Sequence, residues 1–238
     1  MKKLGDGAFS NVFLVKRLSD GKEYALKKVI MGKLSEKEKE MALNEVRILA
    51  SINNDNIIGY KDAFLDENTL NIVMEFADGG DLMKKVESAN KTRVPLKESE
   101  IWNCFIQMTF GLKALHDLKI CHRDLKCANV FVTKSGIIKL GDLNVSKVVK
   151  AGLLKTQTGT PYYASPEIWS DKPYSYKSDI WSLGAVIYEL TALKPPFMAN
   201  DMKGLAAKVC KGIYPSIPGT YSSDLANVIK CMLQVRTE

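Results

Sequence analysis

The sequence lacks the long apolar runs that mark membrane-spanning and secreted chains. No apolar run in its 238 residues approaches the roughly 20 residues that a helix needs to cross a bilayer. The first seven residues, Met1 to Gly7, hold no apolar stretch of the kind found in a secretory signal. We therefore expect no membrane span and no signal peptide.

Paired cysteines and charge tracts are missing as well. The five cysteines (Cys104, Cys121, Cys127, Cys210 and Cys231) are odd in number, and none forms a Cys-x-x-Cys pair. This pattern indicates reduced thiols in a cytoplasmic or nuclear compartment, with neither a zinc site nor a disulfide framework. The net charge is +7, but the lysines are scattered and form no run of five. They are typical of solvated helix faces, so we expect no direct binding of nucleic acid.

The first 75 residues read as a small β-rich region with one helix. Ser35 and Glu38 have the spacing of a capping box, which predicts the start of a helix over residues 35–51. Repeats, low-complexity tracts and Ser/Gly linkers are absent. Four short runs of β-type residues predict strands at 12–15, 24–26, 57–58 and 70–74.

After Gly79-Gly80 the pattern becomes helical. One apolar stripe at helical spacing predicts a helix over residues 98–118: Ile101, Phe105, Met108, Leu112 and Leu115. Further helices are predicted at 178–193, 201–212 and 224–233. The fold class is therefore α+β with two lobes that share a cleft, a common place for a ligand. We predict an N-lobe over 1–76, a hinge over 77–80 and a helical C-lobe over 81–238.

Glycines near the N-terminus suggest a phosphate-binding loop. Gly5, Asp6 and Gly7 occupy the start of a G-x-G-x-x-G pattern, but Ser10 stands at the third glycine position. A plain hairpin turn explains the same residues equally well. The next segment reads as a strand, whereas a dinucleotide-binding fold would have a helix there.

A lysine ends the apolar run that begins at Tyr24. Lys27 is costly at such a position unless its ammonium group meets an anion, although a solvent-facing edge lysine is an acceptable alternative. Glu45, in the single helix of the small lobe, is the carboxylate available to pair with it. Such a pair would aim the lysine at phosphate oxygens.

The most informative stretch is residues 122–129 (HRDLKCAN), followed by residues 138–144 (IKLGDLN). Phosphoryl transfer needs positioning and charge stabilisation more than covalent chemistry. Asp124 can orient an attacking hydroxyl, and Lys126 can neutralise charge on a γ-phosphate. Asn129 and Asp142 offer the hard oxygen ligands that magnesium prefers. A polar loop without function is the alternative.

These motifs resemble the eukaryotic protein kinases, and Lys126 resembles the serine/threonine branch. Finer features are similar to the NIMA-related (NEK) kinases. The resemblance rests on five further segments: 70–82 (LNIVMEFADGGDL), 142–144 (DLN), 159–167 (GTPYYASPE), 179–184 (DIWSLG) and 212–218 (GIYPSIP). It implies a bilobal kinase fold that uses ATP and Mg²⁺ to phosphorylate protein substrates.

The resemblance also implies where the nucleotide would bind. It assigns a gatekeeper, two backbone partners for adenine, a ribose contact and an apolar sandwich, in that order: Met74; Glu75 and Ala77; Asp81; and Val12, Ala25 and Phe131. For the aliphatic members, ordinary core packing accounts for the sequence equally well.

Regulation is implied in the same way. Phosphorylation at Thr156, or secondarily Thr158, would place a phosphate near Arg123 in an activation segment from Asp142 to Glu167, by an upstream kinase or by autophosphorylation. Thr160 would contact Asp124 and Lys126. The ring of Tyr60 would join the lobes and could point into the cleft to hold an inactive state; packing without a switch is the alternative.

Two departures from the kinase pattern stand out. Asn144 replaces the glycine of the D-F-G triplet, and the C-lobe is expected to be truncated, with its last helix and the oligomerisation regions missing. The competing functions are an active kinase, a nucleotide-binding pseudokinase or scaffold, and a small-molecule phosphotransferase. The family likeness adds a cell-cycle role and a cytoskeletal, centrosomal or ciliary location.

Overall fold

A five-stranded antiparallel sheet occupies the N-terminal part of the computed structural model. Its strands are β1 (Lys2–Asp6), β2 (Ser10–Lys16), β3 (Glu23–Ile30), β4 (Tyr60–Asp66) and β5 (Thr69–Glu75), in the order β1-β2-β3-β5-β4. The structure describes residues 2–6, 10–143 and 161–235, with all of their side chains except those of Lys33 and Glu45. Lys27 in β3 lies opposite Val12 in β2 and Ile72 in β5, so it occupies a central strand.

The strand predicted at residues 57–58 is wrong. Ile57 makes only an isolated bridge to Leu140, and the strand β4 begins later, at Tyr60. The reason is that β4 is an edge strand with mostly exposed residues, and charged residues flank its short apolar run at 63–65. The apolar side chain of Ile57 packs into the main core, where it is 2% exposed, and is not part of a strand.

The small lobe's helix begins at the predicted residues. Helix α1 (Glu36–Ser51) follows Ser35, whose hydroxyl accepts a hydrogen bond from the Glu38 backbone, while the Glu38 carboxylate accepts from the Ser35 N–H at 2.8 Å. Two of the helix's otherwise unpaired amide groups are satisfied in this way. The capping box is therefore confirmed. A short 3₁₀ turn (Met31–Lys33) connects β3 to this helix.

The remainder of the described chain is mainly helical. The helices are α2 (Leu82–Thr92), α3 (Glu98–Asp117), α4 (Pro166–Trp169), α5 (Tyr176–Ala192), α6 (Met202–Lys211) and α7 (Ser223–Met232). Between α3 and α4 lie a 3₁₀ turn (Cys127–Asn129) and a two-stranded antiparallel ribbon, β6 (Val130–Val132) with β7 (Ile138–Leu140). The predicted α+β class, with a small β-rich lobe and a larger helical lobe, is confirmed.

Helix α5 lies at the centre of the helical lobe. Nearly all of its residues from Ser178 to Thr191 are buried, and the fully buried Trp181 stacks on Phe197 with ring centroids 5.4 Å apart. A helix that is apolar all round has to be enclosed by other elements. It therefore forms a fixed platform for the loops that pack on it. None of the helices in the described ranges is long and apolar enough to cross a membrane.

Gly79 allows the hinge to approach the β6–β7 ribbon. Its N–H donates to the carbonyl of Val132 at 2.8 Å, and a Cβ added to Gly79 would lie 2.6 Å from that oxygen and 2.9 Å from the Thr133 backbone. Backbone atoms on both sides leave little room for adjustment.

We expect Gly79→Ala to destabilise the fold by about 1–3 kcal/mol, the usual cost of overpacking. Gly219→Ala is the matched control, since a Cβ there meets nothing within 4 Å and both substitutions restrict the unfolded chain equally. Urea denaturation of the two variants gives the comparison. Equal urea midpoints for the two variants would show that the hinge backbone shifts to accommodate the added Cβ.

Candidate active site

A buried carboxylate in α5 fixes the backbone of the predicted catalytic loop. Oδ2 of Asp179 accepts hydrogen bonds from the His122 N–H at 2.9 Å and from Nε2 of His116 at 2.8 Å. Its Oδ1 accepts from the Arg123 N–H at 3.1 Å and from the Tyr174 hydroxyl at 2.5 Å. Burial would raise the pKa of Asp179, but these donors, led by His116 and Tyr174, hold the pKa below its ordinary value.

The loop turns sharply at the residue that Asp179 holds. Arg123 has a φ of 68°, in the left-handed region that a branched or long side chain seldom adopts. Strain of this kind persists where the surrounding contacts over-determine the backbone. The next N–H, that of Asp124, faces Nδ1 of the fully buried His122 at 3.4 Å. Burial lowers the pKa of His122, which agrees with a neutral ring that accepts at Nδ1.

The turn brings three of the predicted catalytic side chains together. Nζ of Lys126 lies 3.0 Å from Oδ2 of Asp124. The amide nitrogen of Asn129 donates to the same oxygen at 3.0 Å and to the Asp124 carbonyl at 2.8 Å. Asp124 therefore has its carboxylate oriented by two donors from its own loop, and the catalytic roles of the three residues stay predictions.

The second predicted acid lies across the cleft from the small lobe. Oδ1 of Asp142 is 3.2 Å from Nζ of Lys27, which joins the helical lobe to strand β3. Partial burial would raise the pKa of Asp142, but the charge and hydrogen bond of Lys27 outweigh it and keep the pKa below its ordinary value. Asp142 has a φ of 52°, another left-handed residue beside the cleft. The side chain of Glu45, the predicted partner of Lys27, lies outside the described part.

Comparison with known proteins agrees with this geometry. The sequence matches the protein kinase domain family over residues 1–238. It is 42% identical to the serine/threonine-protein kinase Nek1 of Mus musculus over 231 residues, 96% of this chain and 19% of the relative. Nek4 of Mus musculus is 41% identical over all of the chain and 30% of the relative. Nek5 of Homo sapiens is 41% identical over 99% of the chain and 33% of the relative.

The chain belongs to the protein kinase family. Its similarity to Nek1, Nek4 and Nek5 confirms the prediction of a NIMA-related serine/threonine kinase domain with the bilobal kinase fold. The chain spans about a fifth to a third of the length of these relatives. A protein kinase domain uses ATP, and the pseudokinase alternative is not favoured.

In this kinase domain, the residues predicted to contact adenine lie where the sheet meets the hinge and the β6–β7 ribbon. Ala25 of β3 lies directly opposite Met74 of β5. The Phe131 ring packs against Gly141, where an added Cβ would lie 2.6 Å from a ring carbon. The N–H of Glu75 is already bonded to the Gly59 carbonyl at 2.8 Å, so this donor is not available to a nucleotide base. Contact between adenine and these residues, or the buried Ala77, stays a prediction.

Asp81 and the glycine loop have defined places as well. The Asp81 carboxylate caps α2 by accepting from the Lys84 N–H at 2.8 Å, and its contact with ribose stays a prediction. Gly5 and Asp6 end strand β1 opposite Val12 and Asn11. Gly7 lies outside the described residues.

Of the predicted regulatory residues, the described part includes Arg123 and Tyr60. Tyr60 begins β4, and its half-buried ring packs against both core clusters, one in each lobe. The position between the lobes agrees with the prediction, whereas a role as a switch stays untested. Besides Gly7, four predicted positions lie outside the described residues: Asn144, Thr156, Thr158 and Thr160.

A buried ion pair behind the hinge was not predicted from the sequence. Nζ of Lys139, in β7, lies 3.0 Å from Oε1 of Glu75 and donates to the Asp55 carbonyl at 2.8 Å. The other Glu75 oxygen accepts from the Gly59 N–H at 3.1 Å. The signal was available, because Lys139 interrupts an apolar strand just as Lys27 does.

The two members of this pair differ in exposure, which predicts unequal effects. The Lys139 side chain is 8% exposed and the Glu75 side chain 29%. We expect Glu75→Gln to cost about 3–5 kcal/mol, because it leaves a buried ammonium group without its counter-ion. Lys139→Met should cost less, since water can still reach the Glu75 carboxylate.

Chemical denaturation of both variants and of the double variant provides the measurement. The double variant Glu75→Gln/Lys139→Met should be more stable than Glu75→Gln alone, because the unpaired charge is gone. The reverse order of the two single variants would contradict a buried ion pair at this position.

Proposed function

We propose that this domain transfers the γ-phosphoryl group of ATP to serine or threonine hydroxyls of protein substrates. The observation that supports it most directly is the Asp124 carboxylate, held by Lys126 and Asn129 on a loop that is itself fixed to α5. Such a carboxylate can accept a hydrogen bond from an incoming hydroxyl without reorienting. Positioning of this kind supplies much of the catalysis of phosphoryl transfer.

The two lysines are suited to neutralise the negative charge on different phosphates of ATP. Lys126, 37% exposed and next to Asp124, is suited to neutralise charge on the phosphoryl group in transfer. Lys27 is 16% exposed and reaches into the cleft from β3, where it is suited to hold the other phosphates. Both ammonium groups are paired with cleft carboxylates, so each can exchange a carboxylate for a phosphate oxygen.

The donor set suits a magnesium ion. Asn129 uses its amide nitrogen for both bonds to Asp124, which leaves the amide oxygen as its possible ligand. The Asp142 carboxylate is 45% exposed on the side of the cleft. Two hard oxygen donors, completed by phosphates and water, are what Mg²⁺ prefers. When bound, the ion would neutralise phosphate charge, and Asn129 and Asp142 would hold it.

Two rival functions lack support at the same residues. A scaffold that acts by shape has no need of the Lys27–Asp142 ion pair or of the hydrogen bond from Asn129 to Asp124, yet the described chain holds both. A small-molecule phosphotransferase has no need of a segment such as residues 161–169, which packs on α5 through Tyr163 and Ser182. That segment is suited to dock a peptide.

Phosphate transfer onto casein, with magnesium and labelled ATP, tests the proposal. Asp142→Ala should lower the rate at least about 100-fold, since it removes a group that stabilises charge in the transition state. Asp117→Ala, a surface change in the exposed pair with Lys113, should stay within about twofold of the wild type.

The outcomes separate the candidate functions. ATP binding without transfer by the wild type would favour the scaffold. Transfer to a small metabolite but not to protein would favour the small-molecule enzyme.

Regulation by phosphorylation is part of the proposal. Thr156, with Thr158 second, would receive a phosphate from an upstream kinase or by autophosphorylation, and Arg123 would pair with it. Thr160 would help Asp124 and Lys126 to select hydroxyl substrates. Support comes from the backbone of Arg123, which is fixed beside the active site. A cytoskeletal, centrosomal or ciliary location, and a cell-cycle role, follow only from likeness to the NEK relatives.

Tyr60 is proposed to hold the unphosphorylated domain inactive, because its ring packs against the cores of both lobes at the edge of the cleft. We expect Tyr60→Ala to raise the activity of the unphosphorylated domain several-fold, and Tyr60→Phe, which keeps the ring, to leave it near the wild-type value. Transfer assays on phosphatase-treated protein give the comparison. Unchanged activity together with a lower Tm in Tyr60→Ala would assign the ring to packing alone.

A further inference from the structure

A second buried carboxylate of α5 lies under both the catalytic loop and the segment at residues 161–169. Glu189 is 3% exposed, and its Oε2 accepts hydrogen bonds from the Tyr163 hydroxyl at 2.5 Å and from the Cys127 thiol at 3.2 Å. Among the described residues no cation pairs with this carboxylate. Burial accordingly raises the pKa of Glu189, against the effect of its two donors.

The two donors come from parts of the chain with different tasks. Cys127 is fully buried and opens the 3₁₀ turn, immediately after Lys126 and two residues before Asn129. Tyr163 lies in the segment proposed to dock the peptide, where its carbonyl accepts from the Ser182 hydroxyl of α5 at 3.0 Å. One oxygen atom of Glu189 is therefore shared by the catalytic loop and the docking segment.

Loss of one of these two donors would change the position of the other. When a buried acceptor loses a donor, the free-energy cost of its desolvation is no longer offset by that hydrogen bond. The acceptor then shifts toward the donor that remains. Because both bonds end on the same Oε2, such a shift moves Cys127 relative to Tyr163. The backbone turn that carries Asn129 would then move relative to the docking segment.

We propose that Glu189 is a positioning residue that couples the peptide-docking segment to the catalytic loop, through Tyr163 on one side and Cys127 on the other. The proposal rests on the kinase activity proposed above. It makes Cys127 the residue through which peptide docking aligns Lys126 and Asn129. Neither Glu189 nor Cys127 touches the reacting atoms.

Amide hydrogen exchange of the nucleotide-free chain tests the coupling without any catalytic assay. Cys127→Ala should speed exchange in residues 161–169 about two- to tenfold, the range that corresponds to one hydrogen bond, and Tyr163→Phe should do the same in residues 125–132. Cys127→Ser keeps a donor and should remain near the wild type. Exchange in α6 is the internal reference for general destabilisation.

Two results would overturn the coupling: faster exchange confined to the segment that carries the substitution, or equal acceleration in α6. Because the experiment needs no turnover, its failure is distinct from a failure of the wild type to phosphorylate protein.

The kinetic counterpart uses the same variants. Tyr163→Phe and Cys127→Ala should each raise KM for the protein substrate more than KM for ATP, and their combined effect should be smaller than the product of the two, because they act through one atom. Cys127→Ser should restore most of the loss. Multiplicative effects, or equal changes in both KM values, would contradict the proposal.

Discussion

The active site depends on the Asp179 carboxylate, which is buried at the centre of the helical lobe and carries four hydrogen bonds. Two of them come from the backbone of His122 and Arg123, so the carboxylate fixes the loop at the point where it adopts a left-handed turn. Without that anchor the strained turn would lose two of the hydrogen bonds that hold its backbone. The positions of Asp124 and everything bonded to it follow from this constraint.

Helix α5 contains two buried carboxylates whose pKa values are shifted in opposite directions. Asp179 and Glu189 are ten residues apart, which is about 15 Å along a helix. Burial would raise the pKa of Asp179, but hydrogen bonds led by those from His116 and Tyr174 lower it; burial raises the pKa of Glu189, which has two donors among the described residues. The first site is suited to permanent fixation. The second is weakly compensated, and a contact of that kind can respond when one of its donors moves.

The sequence predicted local features well and distant pairings poorly. The capping box at Ser35 and the apolar stripe of α3 are set by residues three or four apart, so their periodicity reveals them. Lys139 and Glu75 are 64 positions apart, and Cys127 and Glu189 are 62 apart, so no local pattern links them. The edge strand β4 was not predicted because most of its residues are exposed and charged residues flank its short apolar run. The predicted catalytic residues could be grouped from the sequence because Asp124, Lys126 and Asn129 lie within one loop.

The ion pairs in the cleft show why this arrangement suits a nucleotide. Lys27 pairs with Asp142 and Lys126 with Asp124, and each pair has a member that is more than a third exposed. Ion pairs open to water contribute only about 0–1 kcal/mol, so breaking one to reach a phosphate costs little. The carboxylates meanwhile keep the ammonium groups pointed into the cleft. A phosphate would therefore meet cations already in place, and their release would leave Asp142 available to a metal ion and Asp124 to a hydroxyl.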